Sequence, residues 1–330
     1  MLIDELPTPA VVVDAAALER NLATMAAALP GDRLRPHVKA HKCTALAARQ
    51  AAHGHRRFTC ATPREVLGLA AAGLGDDLLL ANEVVDHDRL AAMAACGARV
   101  TVAVDSPATV GAAAAAGIAE VVVDVDVGLP RCGCPPDAAG RIAEEARRAG
   151  LEVRGVMGYE GHLMMVTDRS EQRARVEAAM TVLRQAHEAV GGELVSAGGT
   201  GTYDLNEWAT EIQAGTYALM DSDYQRLGLP FEPAVRIVAT VIAVRDDWAV
   251  CDAGLKAFGL DHGNPVLDGG KVWFCSDEHT TFAPERRLRV GERVTLVPAH
   301  LDPTLARHER LHLCEGPEVV ETVPIDLRHW

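Results

Sequence analysis

The sequence predicts an α/β chain in which a (β/α)8 barrel is followed by a C-terminal β domain. Two observations carry that prediction. Between residues 34 and 217 short β-branched runs alternate with alanine-rich helical segments, the pattern of parallel strands joined by crossover helices. After Pro230 the helical periodicity gives way to short alternating strands. The expected barrel strands are 34–39, 57–60, 77–81, 100–104, 120–125, 153–159, 193–197 and 211–216. Glycines at Gly54, Gly73, Gly97, Gly117 and Gly150 fit the left-handed position that closes a helix. Residues 170–190 show the 3.6 period clearly, with Val176, Met180, Leu183 and Val190 on one face. Residues 203–210 make a poor helix, which leaves a doubly wound sheet as the alternative. Further on, 235–244 and 248–251 flank the turn Arg245-Asp246-Asp247, and 293–298 and 310–313 read as strands. The expected division is a barrel over residues 1–232 and a β domain over 233–330, with the early strand 10–13 able to join the latter.

A chain of 330 residues, 48% of them hydrophobic, has ample core for one large domain and a smaller one. Its formal net charge of -14 argues against nucleic acid and anionic membrane surfaces as partners. Residues 1–30 carry Asp4, Glu5, Asp14 and Glu19, so no secretory apolar core is expected there. No window resembles a membrane span, and a cytoplasmic protein is expected. The eight cysteines are scattered, and Cys132-Gly133-Cys134 is the only close pair. Without a second pair to complete a zinc site, they read as reduced and structural.

The most informative stretch is Arg35-Pro36-His37-Val38-Lys39-Ala40-His41. The chain's lysines are Lys39, Lys42, Lys256 and Lys271. A pair of them at one strand exit points to a Schiff-base amine rather than a solvated charge. Only a neutral amine attacks a carbonyl, and burial beside other cations favours that form. In barrels, chemistry sits at the C-terminal strand ends, with phosphates often bound after strands seven and eight. Those exits here are Ser196-Ala197-Gly198-Gly199-Thr200-Gly201-Thr202 and Gln213-Ala214-Gly215-Thr216-Tyr217. Both offer backbone N–H groups, small side chains and hydroxyls. The fifth strand exit carries Arg131, and the sixth carries Tyr159 and His162, an aromatic face and a titratable imidazole. In the β domain His300 and Asp302 stand two apart at an expected strand end, where period-two geometry lets both chelate one ion. Glu278, His279, Asp252 and Lys256 are further polar groups of that domain.

Taken together these residues resemble the D-threonine aldolase and D-serine dehydratase family, pyridoxal 5'-phosphate enzymes of the alanine racemase-like fold type III. The likeness runs from Thr8-Pro9 to His300-Leu301-Asp302. It implies that Lys39 holds the cofactor covalently, Arg131 faces the pyridine nitrogen and Tyr159 lies beside the ring. It also implies that Gly199, Thr200, Gly215 and Thr216 hold the phosphate, with Tyr224 a further contact, and that His300 and Asp302 are metal ligands. Dehydratase members tend to carry cysteine where this chain has Asp302. A carboxylate is harder than a thiolate and favours Mn²⁺ or Mg²⁺ over Zn²⁺. The implied reaction is cleavage of a β-hydroxy-D-amino acid, of the D-threonine or 3-hydroxy-D-aspartate type, to glycine and an aldehyde. His162 or metal-bound hydroxide is the base. The alternatives are a D-serine or D-threo-3-hydroxyaspartate dehydratase, a racemase, and a non-catalytic cofactor-carrying protein. Relatives pair as head-to-tail dimers, so the resemblance implies a homodimer.

Overall fold

The computed structural model describes residues 1–330. The chain opens with β1 (Ala10–Asp14) and α1 (Ala15–Ala28). Alternation follows through α2 (Thr44–Ala52), β2 (Arg57–Cys60), α3 (Pro63–Ala71), β3 (Asp77–Leu80), α4 (His87–Ala94) and β4 (Val100–Val104). It continues through α5 (Pro107–Ala115), β5 (Glu120–Asp124), α6 (Ala139–Arg148), β6 (Glu152–Gly158), α7 (Arg169–Val190), β7 (Leu194–Ala197), β8 (Glu211–Ile212) and α8 (Ser222–Gln225). The rest is mostly strand: β9 (Val235–Val244), β10 (Ala249–Cys251), β11 (Val266–Leu267), β12 (Gly270–Cys275), β13 (Thr280–Pro284) and β14 (Arg293–Val297). A short helix α9 (Leu301–Leu305) then precedes β15 (Arg310–Glu315) and β16 (Glu318–Pro324). Two compact units result. One comprises Met25–Lys39, Leu46–Gly215 and Leu327–Trp330; the other comprises Met1–Thr24, Ala40–Ala45 and Thr216–Asp326.

In the first unit β2 to β8 form one parallel sheet in sequence order. The expected first strand, 34–39, is not a strand. It is an extended stretch with single bridges, Leu34 to Ile212 of β8 and His37 to Thr59 of β2, which together close the sheet on itself. Arg35 N–H donates to Ile212 O (2.9 Å), His37 N–H to Ala214 O (3.0 Å) and Thr59 N–H to Pro36 O (2.9 Å). Pro36 has no N–H to donate, so a regular ladder cannot run through it, and Val38–Ala40 tightens into a 3₁₀ turn. Every residue of β3 and β4 is buried, because helices cover one face and the barrel interior the other. Leu79, Ala103, Val122 and Met157 pack together as an interior layer.

The helices begin where their caps dictate. Thr62 and Ser106 accept from the N–H groups of Glu65 and Thr109 (3.2 and 3.3 Å), each with proline next in line. The helix-closing glycines take the left-handed conformation, Gly73 with φ 75° and Gly150 with φ 86°. In α7 the expected face, Val176, Met180, Leu183 and Val190, is buried.

A charged network fills the N-terminal end of this sheet. Arg154 donates from both Nη1 and Nη2 to Asp77 (3.0 Å each) and from Nη1 to Thr101 Oγ1 (2.8 Å). Arg35 donates to Asp77 Oδ1 (3.0 Å) and Glu211 Oε1 (2.8 Å). Arg35, Arg154, Asp77 and Glu211 are all buried. Burial opposes ionisation of Asp77, but the two guanidiniums outweigh it and hold its carboxyl well below the usual carboxylate range.

In the second unit the sheet order is β12-β13-β10-β9-β1-β15-β16, with β14 paired to β9 and β11. The early strand β1 lies antiparallel to β9 and parallel to β15, and Leu6, Ala10, Val12, Val238 and Cys314 pack as a core. Thr44 donates from N–H and Oγ1 to Asp326 (2.9 and 2.6 Å), tying Ala40–Ala45 into this unit. All eight cysteines are free thiols. Burial pushes Cys132, Cys251 and Cys134 up, the first two to about 11 and the last to about 12, so they are poor thiolate nucleophiles at neutral pH. No helix is long and apolar enough to cross a membrane.

Candidate active site

In the barrel unit, two predicted residues converge on the aromatic ring of a third. The Lys39 amine stands 5.7 Å from the Tyr159 ring centroid and the Arg131 guanidinium carbon 5.5 Å from it. Lys39 is placed there by the Val38–Ala40 turn, and Tyr159 follows directly on β6. Arg131 sits in the loop after β5, which Cys134 N–H pins by donating to Asp124 O (2.9 Å). Asp124 itself is buried. Its carboxyl is pushed well above the ordinary value by that burial and by the adjoining Glu83 carboxylate, with Arg131 acting in the opposite direction. His162 lies in the 3₁₀ turn Gly161–Leu163 and covers the same loop: a Cβ on Gly128 would stand 3.1 Å from its Cε1.

The glycine loop after β7 presses on the Tyr159 ring as well. A Cβ on Gly199 would lie 3.5 Å from Tyr159 Cε2 and 2.9 Å from Met164 Sδ. At Gly201 it would lie 2.3 Å from the Met164 carbonyl oxygen, so no larger residue fits there. Thr200 and Thr202 are buried in the 3₁₀ turn that follows Gly199. The two predicted loops are tied side by side, with Gln213 N–H donating to Ala197 O (3.1 Å) and Gln213 Nε2 to Ser196 Oγ (2.9 Å). Gly215 ends the barrel unit, whereas Thr216 and Tyr224 belong to the second unit. There Tyr224 N–H donates to Asp221 Oδ1 (3.0 Å) at the start of α8.

Sequence reasoning passed over Glu160, which holds this loop. Its carboxylate is fully buried. Oε1 accepts from Thr202 Oγ1 (2.7 Å) and Asn206 Nδ2 (2.8 Å), and Oε2 accepts from Gly198 N–H (3.2 Å). Three donors on one carboxylate set the loop's path. The only signal in the sequence was an acidic residue between Tyr159 and His162. Replacing it by glutamine turns an NH₂ donor towards a donor. Leaving a buried donor unsatisfied costs about 1–3 kcal/mol, so Glu160→Gln is expected to lower folding stability by about that amount. Chemical denaturation of the apoprotein checks this.

The second unit holds a separate polar cluster. His300 precedes α9 rather than lying in a strand, and Asp302 is in the first turn of α9. The expected strand pairing of these side chains is therefore replaced by a strand-to-helix corner, because the chain turns at Pro298–Leu301. The corner still brings His300 Nε2 to 3.6 Å from Asp302 Oδ2. Metal bonds to such ligands run about 2.0–2.2 Å, and a divalent ion can span that gap. Asp261, His262 and His300 each offer a ligand atom within 4.8 Å of the others. Burial works against the charge on His300, yet Asp302 and Asp261 together raise its pKa above the ordinary value. Oxygen and nitrogen donors of this kind suit a hard or borderline cation.

The barrel cluster offers the kinds of group that pyridoxal phosphate needs: an amine for an aldehyde, a flat ring face, a cationic donor and a turn of small residues. The comparisons agree. Residues 13–223 match the family model for the alanine racemase N-terminal domain, and residues 234–314 match a putative serine dehydratase domain. A D-threonine aldolase from an Arthrobacter species is 34% identical, over 92% of this chain and 88% of its own length. A 3-hydroxy-D-aspartate aldolase from Paracoccus denitrificans (strain Pd 1222) is 33% identical over the same shares. The crystal structure of a D-threonine aldolase from Filomicrobium marinum superposes with a TM-score of 0.94 at 34% identity, covering 99% of this chain and 98% of that one. On its barrel, its lysine-bearing turn and these matches, the chain belongs to the alanine racemase-like pyridoxal phosphate family of D-threonine aldolases and D-serine dehydratases.

Proposed function

We propose that this protein is a pyridoxal phosphate- and divalent metal-dependent carbon–carbon lyase that cleaves β-hydroxy-D-amino acids to glycine and an aldehyde. The observation that carries the proposal is the convergence of Lys39, Arg131 and Gly199 on the Tyr159 ring. The hard His300/Asp302 pair in the second unit supports it. When bound, the cofactor stores the electron pair of the broken Cα–Cβ bond, and the ion, Mn²⁺ or Mg²⁺ in preference to Zn²⁺, acidifies the β-hydroxyl.

The chain's own residues supply the rest. Lys39 would supply the amine that holds the cofactor's aldehyde. Arg131 would face the pyridine nitrogen as a hydrogen-bond donor, a guanidinium being unsuited to give up a proton to it. Tyr159 fixes the plane of the ring, and Gly199, Thr200, Gly215 and Thr216, with Tyr224, take the phosphate. His300 and Asp302 hold the ion, and His162 accepts the hydroxyl proton. A homodimer belongs to the same reading, supported by Trp273 and Phe274 standing exposed on the edge strand β12. A monomer mass in sedimentation would remove that part.

The second reading, a dehydratase, is favoured by the serine dehydratase match over residues 234–314. Products separate the two. Incubation with D-threonine or 3-hydroxy-D-aspartate is expected to give glycine and an aldehyde, to stop in EDTA and to resume with Mn²⁺. Release of a 2-oxo acid and ammonia would establish the dehydratase instead, and activity indifferent to EDTA would remove the metal.

A further inference from the structure

The imidazole of His300 is gripped from three directions within the second unit. Its Nδ1 stands 2.6 Å from Asp261 Oδ2, its Nε2 stands 3.6 Å from Asp302 Oδ2, and the His262 ring stacks on its face at 4.0 Å between centroids and 13° between planes. The loop that brings Asp261 and His262 there is itself clamped. Gly259 bridges His300 in antiparallel fashion. Thr304 Oγ1 accepts from Gly259 N–H (3.0 Å) and donates to His300 O (2.7 Å). A Cβ on Gly259 would lie 2.3 Å from Pro303 Cγ, so loop and α9 pack with no room between them. His262 Nδ1 in turn stands 3.1 Å from Asp223 Oδ2 in α8.

The two short distances at His300 have different meanings. Two ligands bound to one ion at about 2.0–2.2 Å each and only 2.6 Å apart would subtend roughly 75° at it, tighter than a tetrahedral or octahedral cis pair. That separation is a charge-assisted hydrogen bond, and it requires a proton on Nδ1. The proton there leaves the lone pair of a neutral imidazole on Nε2, the atom that faces Asp302. Hydrogen bonding of the far ring nitrogen to a carboxylate is how a metal-binding histidine is fixed in tautomer and orientation.

We propose that Asp261 is a positioning residue for the divalent-ion centre: by holding the Nδ1 proton of His300 it commits Nε2 to the ion shared with Asp302. His262 braces the ring against rotation out of that plane. Asp261 is not itself a ligand. The inference rests on the reading of His300 and Asp302 as the metal ligands.

The test is Mn²⁺ binding to the cofactor-loaded full-length protein, followed by calorimetry or by the spin-resonance signal of free Mn²⁺. Asp261 is 53% exposed, so its replacement leaves the core untouched. Asp261→Ala is expected to weaken Mn²⁺ binding about 10–100-fold. Asp261→Asn, which keeps an acceptor without the charge, is expected to fall between that and wild type. The melting temperature in EDTA is expected to stay at the wild-type value for both, which a merely structural role would not allow. Asp302→Ala is expected to abolish binding at the same concentrations. Wild-type affinity in Asp261→Ala overturns the proposal. So does a loss as complete as that of Asp302→Ala, which would make Asp261 a ligand. Failure of the underlying reading looks different: wild-type protein that takes up no Mn²⁺, or His300→Ala that still does, removes the metal centre and this inference with it.

Discussion

Lys39→Ala protein, purified in the presence of pyridoxal phosphate, is expected to show no visible absorbance from covalently held cofactor and no lyase activity above the detection limit. The amine stands where the Val38–Ala40 turn delivers it, beside the Tyr159 ring that Arg131 also approaches. The variant should otherwise fold as wild type. Alanine suits a 3₁₀ turn, and the backbone bonds just before it, Arg35 to Ile212 and His37 to Ala214, use no side chain of residue 39. The readout is therefore double: an unchanged melting temperature of the apoprotein, and absence of the band. A band that persists in Lys39→Ala would show that another amine carries the cofactor, and the enzyme reading built on this residue would fail.

The second large effect concerns stability. Asp77→Ala is expected to cost about 3–5 kcal/mol, the range for breaking a buried ion pair by removing one partner. That is a large part of the ~5–15 kcal/mol typical of a whole domain. Two buried guanidiniums depend on this carboxylate, Arg154 through a bidentate pair and Arg35 through a single bond. Glu211 and the residue-77 carbonyl still serve Arg35, and Thr101, Glu120 and Glu193 still serve Arg154, but the Arg154 Nη2 that faced Asp77 loses its carboxylate. Chemical denaturation at pH 7 reads the loss directly. The pH dependence gives an independent check. Asp77's folded-state pKa lies below its unfolded value, so its contribution is complete above the unfolded value of about 3.9. It disappears as pH falls through the folded value. Wild type is expected to lose this stability in acid, and Asp77→Asn to lack that part of the slope. Equal acid slopes in the two proteins would show that Asp77 is not held ionised by the arginines.

Much of the barrel was legible because parallel strands buried on both faces write continuous apolar runs, as in Leu78, Leu79 and Leu80, and because glycine closes helices for a local steric reason. The one strand that failed, 34–39, failed for a local reason too: Pro36 interrupts the ladder on which a strand depends. Among the candidate site residues, Lys39, Tyr159 and Arg131 could be named because strand ends announce where a barrel does its chemistry. Glu160 could not, since its meaning lies in Gly198, Thr202 and Asn206, which are remote along the chain. Asp261 and His262 sit in an irregular loop with no periodicity, and nothing in their neighbours announces His300.

By itself the sequence determined the layer architecture, the glycines that close the helices and the residue types able to perform the chemistry. Those follow from periodicity, capping and side-chain donors, which are properties of residues within a few positions of one another. Only the tertiary structure decided that 34–37 closes the sheet by isolated bridges, that Arg35, Asp77, Arg154 and Glu211 form one buried network, and that Asp261 lies against His300. Each of these depends on free energies of burial and charge pairing between segments tens to nearly two hundred residues apart, and such energies leave no local pattern in a chain.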